Sequence, residues 1–120
     1  MLEHRTTPIL ACNDLAATQA FYERLGFFVT GDHGDYRILT DGKGWHLHLQ
    51  SAEPGWVIPG RNAQGIYLYA EDVDAVADRV RDLVIEPGAP HDKPWGMYEF
   101  ALNGPDDTLV RVGWPTRLRG

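Results

Sequence analysis

The sequence predicts an α+β fold made of two βαβββ modules. A short apolar run at residues 8–12 leads into Asp14 and a helical pattern, and fifty-eight residues further on a second run at 66–70 leads into Asp72 and another helical pattern. Short strand-like segments separated by glycine follow each helix. Self-similarity at a fixed spacing indicates one structural unit used twice, so we expect function in a groove where the modules, or a partner chain, meet.

The first module begins with the strand at 8–12. Asp14 is placed to cap a helix from Leu15 to about Leu25, because its carboxylate can accept hydrogen bonds from free backbone N–H groups. Gly26 can adopt the left-handed conformation that ends a helix. The predicted apolar side of this helix consists of Ala17, Phe21 and Leu25. Alternating patterns and turn signals predict three further strands, at residues 27–30, 36–40 and 45–50.

The second module repeats this order, with Asp72 as the predicted cap. Apolar residues at 73, 76, 77, 80, 83 and 84 predict a helix with all six on one stripe facing a sheet. Strands are predicted at 66–70, 98–102 and 109–113, with a turn at 103–107. We therefore expect one domain over residues 1–120, comprising a first module (1–51), a linker rich in Pro and Gly (52–64), a second module (65–114) and a tail (115–120).

A period of two predicts which side chains share a face of each sheet. In the strand at 45–50, Leu47 and Leu49 face the helix, while His46 and His48 point to the opposite side. In the strand at 66–70, Tyr67 and Tyr69 likewise point away from the helix. A polar and aromatic surface is expected there.

Composition excludes several classes of protein. Seventeen acidic against eleven basic residues give a net charge of −6, which argues against nucleic acid as a partner and favours a neutral or cationic ligand. Cys12 is the only cysteine, so no internal disulfide forms, and its position in the strand predicts a core residue. No apolar run is long enough for a membrane span, and no leader is evident, so a cytoplasmic protein with no membrane partner is expected.

Several motifs resemble the vicinal oxygen chelate superfamily, which includes glyoxalase I, extradiol dioxygenases, fosfomycin-inactivating enzymes and bleomycin resistance proteins. The repeated module covers nearly the whole chain. Several segments are similar to the bleomycin resistance branch: residues 8–14, residues 21–27 and the strand Tyr67-Leu-Tyr69. The most specific similarity is Lys93-Pro-Trp-Gly96 followed by Glu99-Phe-Ala-Leu102.

The resemblance also implies where a metal would be held, and this chain departs from the pattern. Thr7 and Gly65 occupy positions where metal-using members often have His, and Arg111 falls where a Glu ligand is usual. Arginine has no lone pair to donate. Only His46 and His48 remain, too few for a divalent ion, so no metal or other cofactor is expected. Glu99 has no evident second carboxylate with which to perform acid–base chemistry.

The resemblance therefore implies binding without catalysis. We expect a homodimer, with Pro8 as the hinge of an exchanged N-terminal arm, that sequesters a planar, cationic antibiotic such as a bleomycin and so confers resistance or self-protection. The predicted ligand-binding residues are Tyr36, His46, His48, Tyr67, Tyr69, Trp95, Glu99 and Arg111. Two alternatives stay open: a metal-dependent lyase or dioxygenase using His46 and His48, and a binder of another antibiotic such as a quinone or a quinoxaline peptide.

Overall fold

The computed structural model describes residues 2–120 and divides the chain into two compact units. The first ends at Ile58 and the second comprises Pro59–Gly120. The boundary lies inside the segment 52–64 that the sequence marks as a linker.

The first unit is a four-stranded sheet with one helix. Its elements are β1 (Ile9–Cys12), α1 (Leu15–Leu25), β2 (Phe28–Asp32), β3 (Tyr36–Thr40) and β4 (His46–Ser51). The strand order is β1-β4-β3-β2, with β1 parallel to β4 and the other pairs antiparallel. Leu47 and Leu49 of β4 are buried, whereas His46 and His48, which alternate with them, are half-buried, as the alternation predicts.

Helix α1 begins and ends where its capping residues predict. The Asp14 carboxylate accepts a hydrogen bond of 3.0 Å from the Ala17 N–H, and Gly26 closes the helix at a φ of 117°. Leu25 is buried as predicted, but the other two residues predicted on the apolar side are wrong by one position, because Ala17 is exposed and Phe21 is only half-buried. The buried side consists instead of Thr18, Tyr22 and Leu25.

The second unit repeats the connectivity of the first. Its elements are β5 (Gly65–Tyr69), α2 (Val73–Arg79), a 3-10 helix (Arg81–Leu83), β6 (His91–Asp92), β7 (Met97–Asn103) and β8 (Leu109–Pro115). The strand order β5-β8-β7-β6, with β5 parallel to β8, is the same arrangement as in the first sheet. The predicted α+β fold of two βαβββ modules is therefore confirmed.

Helix α2 is shorter than its apolar spacing predicts. It ends at Arg79, and Val84 lies beyond it in a single antiparallel bridge to Leu102 of β7. Val84 and Leu83 are half-buried, so the six apolar residues do not form one helical stripe. Asp72 is the N-cap residue of this helix, as predicted, but its side chain makes no capping hydrogen bond, so the predicted side-chain cap is wrong. The helix is held instead by burial of Val73, Val76 and Ala77 on the sheet.

The C-terminal tail is ordered against the second unit. A 3-10 helix spans Thr116–Leu118, and the Arg119 guanidinium carbon lies 3.4 Å from the centre of the Tyr98 ring. Arg119 also pairs with Asp74 of α2 at 3.5 Å. Across the described residues, neither helix has the length or the apolar character needed to cross a bilayer.

Candidate functional site

The candidate site lies on the face of the second sheet that points away from α2. Phe100, Leu102, Val110 and Val112 point toward α2 and are fully buried. The alternate positions face the other way, and the strand register brings them together: Tyr67 pairs with Arg111, and Gly113 lies between Tyr69 and Glu99. We call this surface, formed by Tyr67, Tyr69, Trp95, Glu99, Arg111 and Gly113, the polar face.

Glu99 is the centre of the polar face, although none of it is exposed. One carboxylate oxygen accepts hydrogen bonds from the Tyr67 hydroxyl at 2.9 Å and from the Trp95 indole N–H at 3.0 Å. The other accepts one from Arg111 at 2.6 Å, which is also an ion pair. A buried carboxylate is tolerated only when it is paired and hydrogen-bonded in this way. Glu99 therefore holds three side chains from different segments in one arrangement.

The surroundings of Glu99 keep it ionised. Burial by itself raises the pKa of a carboxyl group, but the three hydrogen bonds and the neighbouring guanidinium outweigh burial and place the pKa of Glu99 below its usual value. The pKa of Tyr67 is raised well above the usual tyrosine value, first by burial and then by its hydrogen bond to Glu99. At neutral pH the tyrosine is therefore a donor and the carboxylate an acceptor.

The polar face depends on the absence of a side chain at Gly113. A Cβ atom built at this position would lie 2.1 Å from the Tyr67 hydroxyl oxygen and 2.7 Å from the Glu99 Cβ. Any larger residue would occupy the path along which the Tyr67 hydroxyl reaches the carboxylate. A glycine inside a strand often marks such a close approach.

Trp95 lies in the loop between β6 and β7 and is held from several sides. The Lys93 N–H donates to the Met97 carbonyl at 2.8 Å, and the Thr116 N–H donates to the Gly96 carbonyl at 2.9 Å. With its indole N–H bound to Glu99, the ring remains 59% exposed. The Arg111 guanidinium carbon lies 5.8 Å from the centre of the ring. The loop therefore presents an aromatic surface in a restrained orientation.

Tyr69 adds a second exposed ring to the polar face. It is 57% exposed, and its ring centre lies 5.0 Å from that of Tyr67. The Trp114 ring contacts Tyr69 edge-on, with 6.4 Å between ring centres. The sequence thus correctly placed both tyrosines on the side opposite the helix.

The first unit brings together two of the three residues predicted there. The Tyr36 hydroxyl and His48 Nδ1 are 2.7 Å apart, and their rings meet edge-on. His46 lies on the same strand face as His48 and is cross-strand to Thr40. Pro8 is exposed, and its carbonyl accepts a hydrogen bond of 3.0 Å from the His48 N–H. Of the other predicted residues, Tyr67, Tyr69, Trp95, Glu99 and Arg111 are gathered on the polar face.

Sequence reasoning missed one residue of the polar face, Gly113, and two residues next to it, Thr116 and His91. Gly113 could have been noticed as an isolated glycine in a strand. Thr116, which supports the Trp95 loop, and His91, which lies cross-strand to Glu99, carry no such signal. Strand β6 is only two residues long, which is too short for an alternating pattern to predict it from the sequence.

The side chains of the described residues are not arranged to hold a resident metal ion. No three His, Cys, Asp or Glu side chains within residues 2–120 converge on one point. The Glu99 carboxylate already accepts from three donors, and the Arg111 guanidinium occupies one of its oxygens. A divalent cation needs several converging lone pairs, which this cluster of donors cannot provide.

Comparison with known proteins identifies solved structures with a similar fold. Among curated proteins no significant match is found. A solved bleomycin resistance determinant encoded on the transposon Tn5 is 28% identical, with a TM-score of 0.79 over 94% of this chain and 98% of that chain. A bleomycin-binding protein solved in complex with bleomycin is also 28% identical, with a TM-score of 0.78 over 93% of this chain and 98% of that chain.

A more distant structure shares the fold alone. TnmS3, an antibiotic-binding protein from a Streptomyces species, is 22% identical, with a TM-score of 0.71 over 95% of this chain and 97% of that chain. The model of the family described as Glyoxalase/Bleomycin resistance protein/Dioxygenase superfamily matches residues 3–112. With this match across nearly its whole length, the chain belongs to the glyoxalase/bleomycin resistance protein/dioxygenase superfamily.

Proposed function

We propose that this protein binds a planar aromatic antibiotic and sequesters it without transforming it. The observation that carries the proposal is the state of Trp95: its ring is 59% exposed, yet its indole N–H is bound to a carboxylate that has no exposure at all. Exposed aromatic rings of this kind offer contact area to a ligand. Tyr69, exposed to a similar extent, extends the same surface.

Preorganisation makes such a surface effective. A ligand that stacks on a mobile side chain must also immobilise it, which costs free energy on binding. Here the Glu99 hydrogen bonds and the supporting loop contacts have already restrained the indole during folding. Stacking on the restrained ring then contributes about 1–3 kcal/mol, by analogy with bases stacked on protein aromatics.

The likeness to a bleomycin-binding protein supports an antibiotic as the ligand, and a net charge of −6 supports a cationic group on it. Diffuse negative charge raises the local concentration of cations around a protein. In this proposal the flat part of the drug stacks on the polar face of the second unit. Tyr36, His46 and His48 of the first unit stay predicted ligand-binding residues.

The absence of catalysis is part of the proposal. Within residues 2–120 the one fully buried carboxylate, Glu99, is paired with donors and not with a second carboxylate. Its lowered pKa makes it a poor general acid or base near neutral pH. Sequestration requires only a restrained surface of the kind present here.

We also propose that the protein works as a homodimer, with Pro8 as the hinge of an exchanged N-terminal arm. Pro8 is exposed, and residues 2–8 before β1 form no helix or strand. Light scattering coupled to gel filtration tests the assembly: a dimer supports it, and a monomer at tens of micromolar protein contradicts it.

The function is tested by titration with bleomycin, using calorimetry and tryptophan fluorescence. Binding at micromolar concentrations is expected, and Trp95→Ala should weaken it by about tenfold or more, because an aromatic ring at the centre of a site contributes about 2 kcal/mol. Trp56→Ala is the matched control, since Trp56 is exposed to a similar extent, 60%, and belongs to the first unit, which contributes no residue to the polar face. No heat of binding would reject bleomycin as the ligand, and equal effects of the two variants would reject Trp95 as the contact.

A further inference from the structure

We propose that Arg111 makes the polar face selective for a planar ring that carries a hydrogen-bond acceptor, preferably anionic, on the edge next to the Trp95 stacking surface. This inference deepens the proposed function and rests on it. It also assigns any cationic group of the ligand to a position away from this face.

Arg111 lies next to both Glu99 and the Trp95 ring. A guanidinium has five N–H donors in a planar fork, and Nη1 donates to Glu99. The side chain is 34% exposed, and none of its nitrogens is among the buried polar atoms that lack a partner in residues 2–120. The guanidinium carbon lies over the Trp95 ring, 5.8 Å from its centre, so the exposed part of the fork adjoins the ring on which the ligand is proposed to stack.

The exposed charge on the polar face is the positive charge of Arg111, because its counter-ion Glu99 has no exposed surface. In strands β5 to β8, the only carboxylate at a position facing away from α2 is Glu99, and Glu99 has no exposed surface. At strand positions on the same side, the exposed ionisable groups other than tyrosine hydroxyls are the Arg111 guanidinium and the imidazole of His91, which is exposed and cross-strand to Glu99. The net charge of −6 therefore belongs to other surfaces.

The Arg111 guanidinium is restrained by its ion pair with Glu99. Because the ion pair with Glu99 restrains one end of the fork at 2.6 Å, the remaining donors have a defined direction. A ligand acceptor that meets them gains a charge-assisted hydrogen bond, whereas an ammonium group at the same point meets a like charge. Selectivity between the two is expected to be about tenfold or more, the factor that corresponds to one such bond.

A pair of small probes with the same ring tests the inference directly. Quinoxaline-2-carboxylate and 2-(aminomethyl)quinoxaline share a flat heteroaromatic ring and differ in the charge of one substituent. We expect calorimetry on the wild-type protein at pH 7 to show the carboxylate binding at least about tenfold more tightly than the amine. The preference should fall as salt is raised, since part of Arg111 is exposed to solvent.

Two variants locate the preference. Arg111→Lys keeps the positive charge but loses the fork, so it should retain the sign of the preference with a smaller ratio. Arg111→Gln should bring the ratio close to one; because this variant leaves buried Glu99 without its cation, its folding is checked by circular dichroism, and the wild-type comparison decides if it does not fold.

Each outcome has a defined meaning. Equal binding of the two probes, or tighter binding of the amine, overturns the inference while leaving a stacking site in place. Binding of bleomycin but of neither probe overturns the inference and leaves the proposed function standing. If neither bleomycin nor the probes bind, both are rejected.

Discussion

Removal of the Glu99 carboxylate is the perturbation whose effect the structure defines best. In Glu99→Ala, Tyr67 and Trp95 lose their acceptor, and the Arg111 guanidinium loses its counter-ion in a largely buried position. Truncating one member of a buried pair costs about 3–5 kcal/mol. Because the Arg111 side chain is 34% exposed, water can partly replace the lost contact, and we expect a loss at the lower end, about 3 kcal/mol.

Urea unfolding followed by circular dichroism measures this loss. With a slope of about 1.5–2 kcal/mol per M, the expected decrease corresponds to a midpoint about 1.5–2 M lower. Asp74→Ala is the matched control: Asp74 also accepts from a tyrosine and pairs with an arginine, but its side chain is 61% exposed. Exposed pairs contribute less than about 1 kcal/mol. If Glu99→Ala costs no more than Asp74→Ala, the assigned role of Glu99 is wrong.

Three further outcomes follow from the geometry. Gly113→Ala places a methyl group 2.1 Å from the Tyr67 hydroxyl oxygen and should lower the free energy of unfolding by about 1–3 kcal/mol, measured by thermal unfolding. Gly31→Ala is the control and should cost less, because the atom nearest to its added methyl group is a side-chain methyl of Ile38 at 3.3 Å. Asp14→Ala should cost about 1 kcal/mol through loss of its cap and Asp72→Ala close to nothing; equal losses would contradict the capping assignment. The pKa of Glu99 is lowered in the folded state. Ionised Glu99 therefore stabilises the fold above the usual glutamate pKa, and this contribution is lost as pH falls through the lowered pKa. The stability of Glu99→Gln should therefore depend less on acid pH than that of the wild type.

The sequence predicted the fold because its signals are local and repeated. The turn at Gly26 and the cap at Asp14 need only their chain neighbours, and strand alternation correctly placed Leu47 and Leu49 in the core. Helix α2 was predicted too long because apolar residues at Leu83 and Val84 continue a spacing of threes and fours after the chain has left the helix. Period alone does not distinguish a helical stripe from apolar residues buried by later contacts.

Five of the eight residues predicted to bind a ligand lie together on the polar face, but the sequence did not predict how they are organised. The residues of the polar face come from three strands and a loop, so their hydrogen bonds depend on strand register, which the sequence does not reveal. Glu99 looked like an unpartnered carboxylate and is in fact the shared acceptor for Tyr67, Trp95 and Arg111. The basic character of Arg111 was evident from sequence, but its position over the Trp95 ring was not.

The titration of wild-type protein and Trp95→Ala with bleomycin tests the central claim most directly. The account predicts micromolar binding to the wild type, with the drug recovered chemically unchanged, and a loss of about tenfold or more in the variant. Recovery of a modified drug, or unchanged affinity in Trp95→Ala, would contradict the claim that a restrained aromatic surface binds the drug without transforming it.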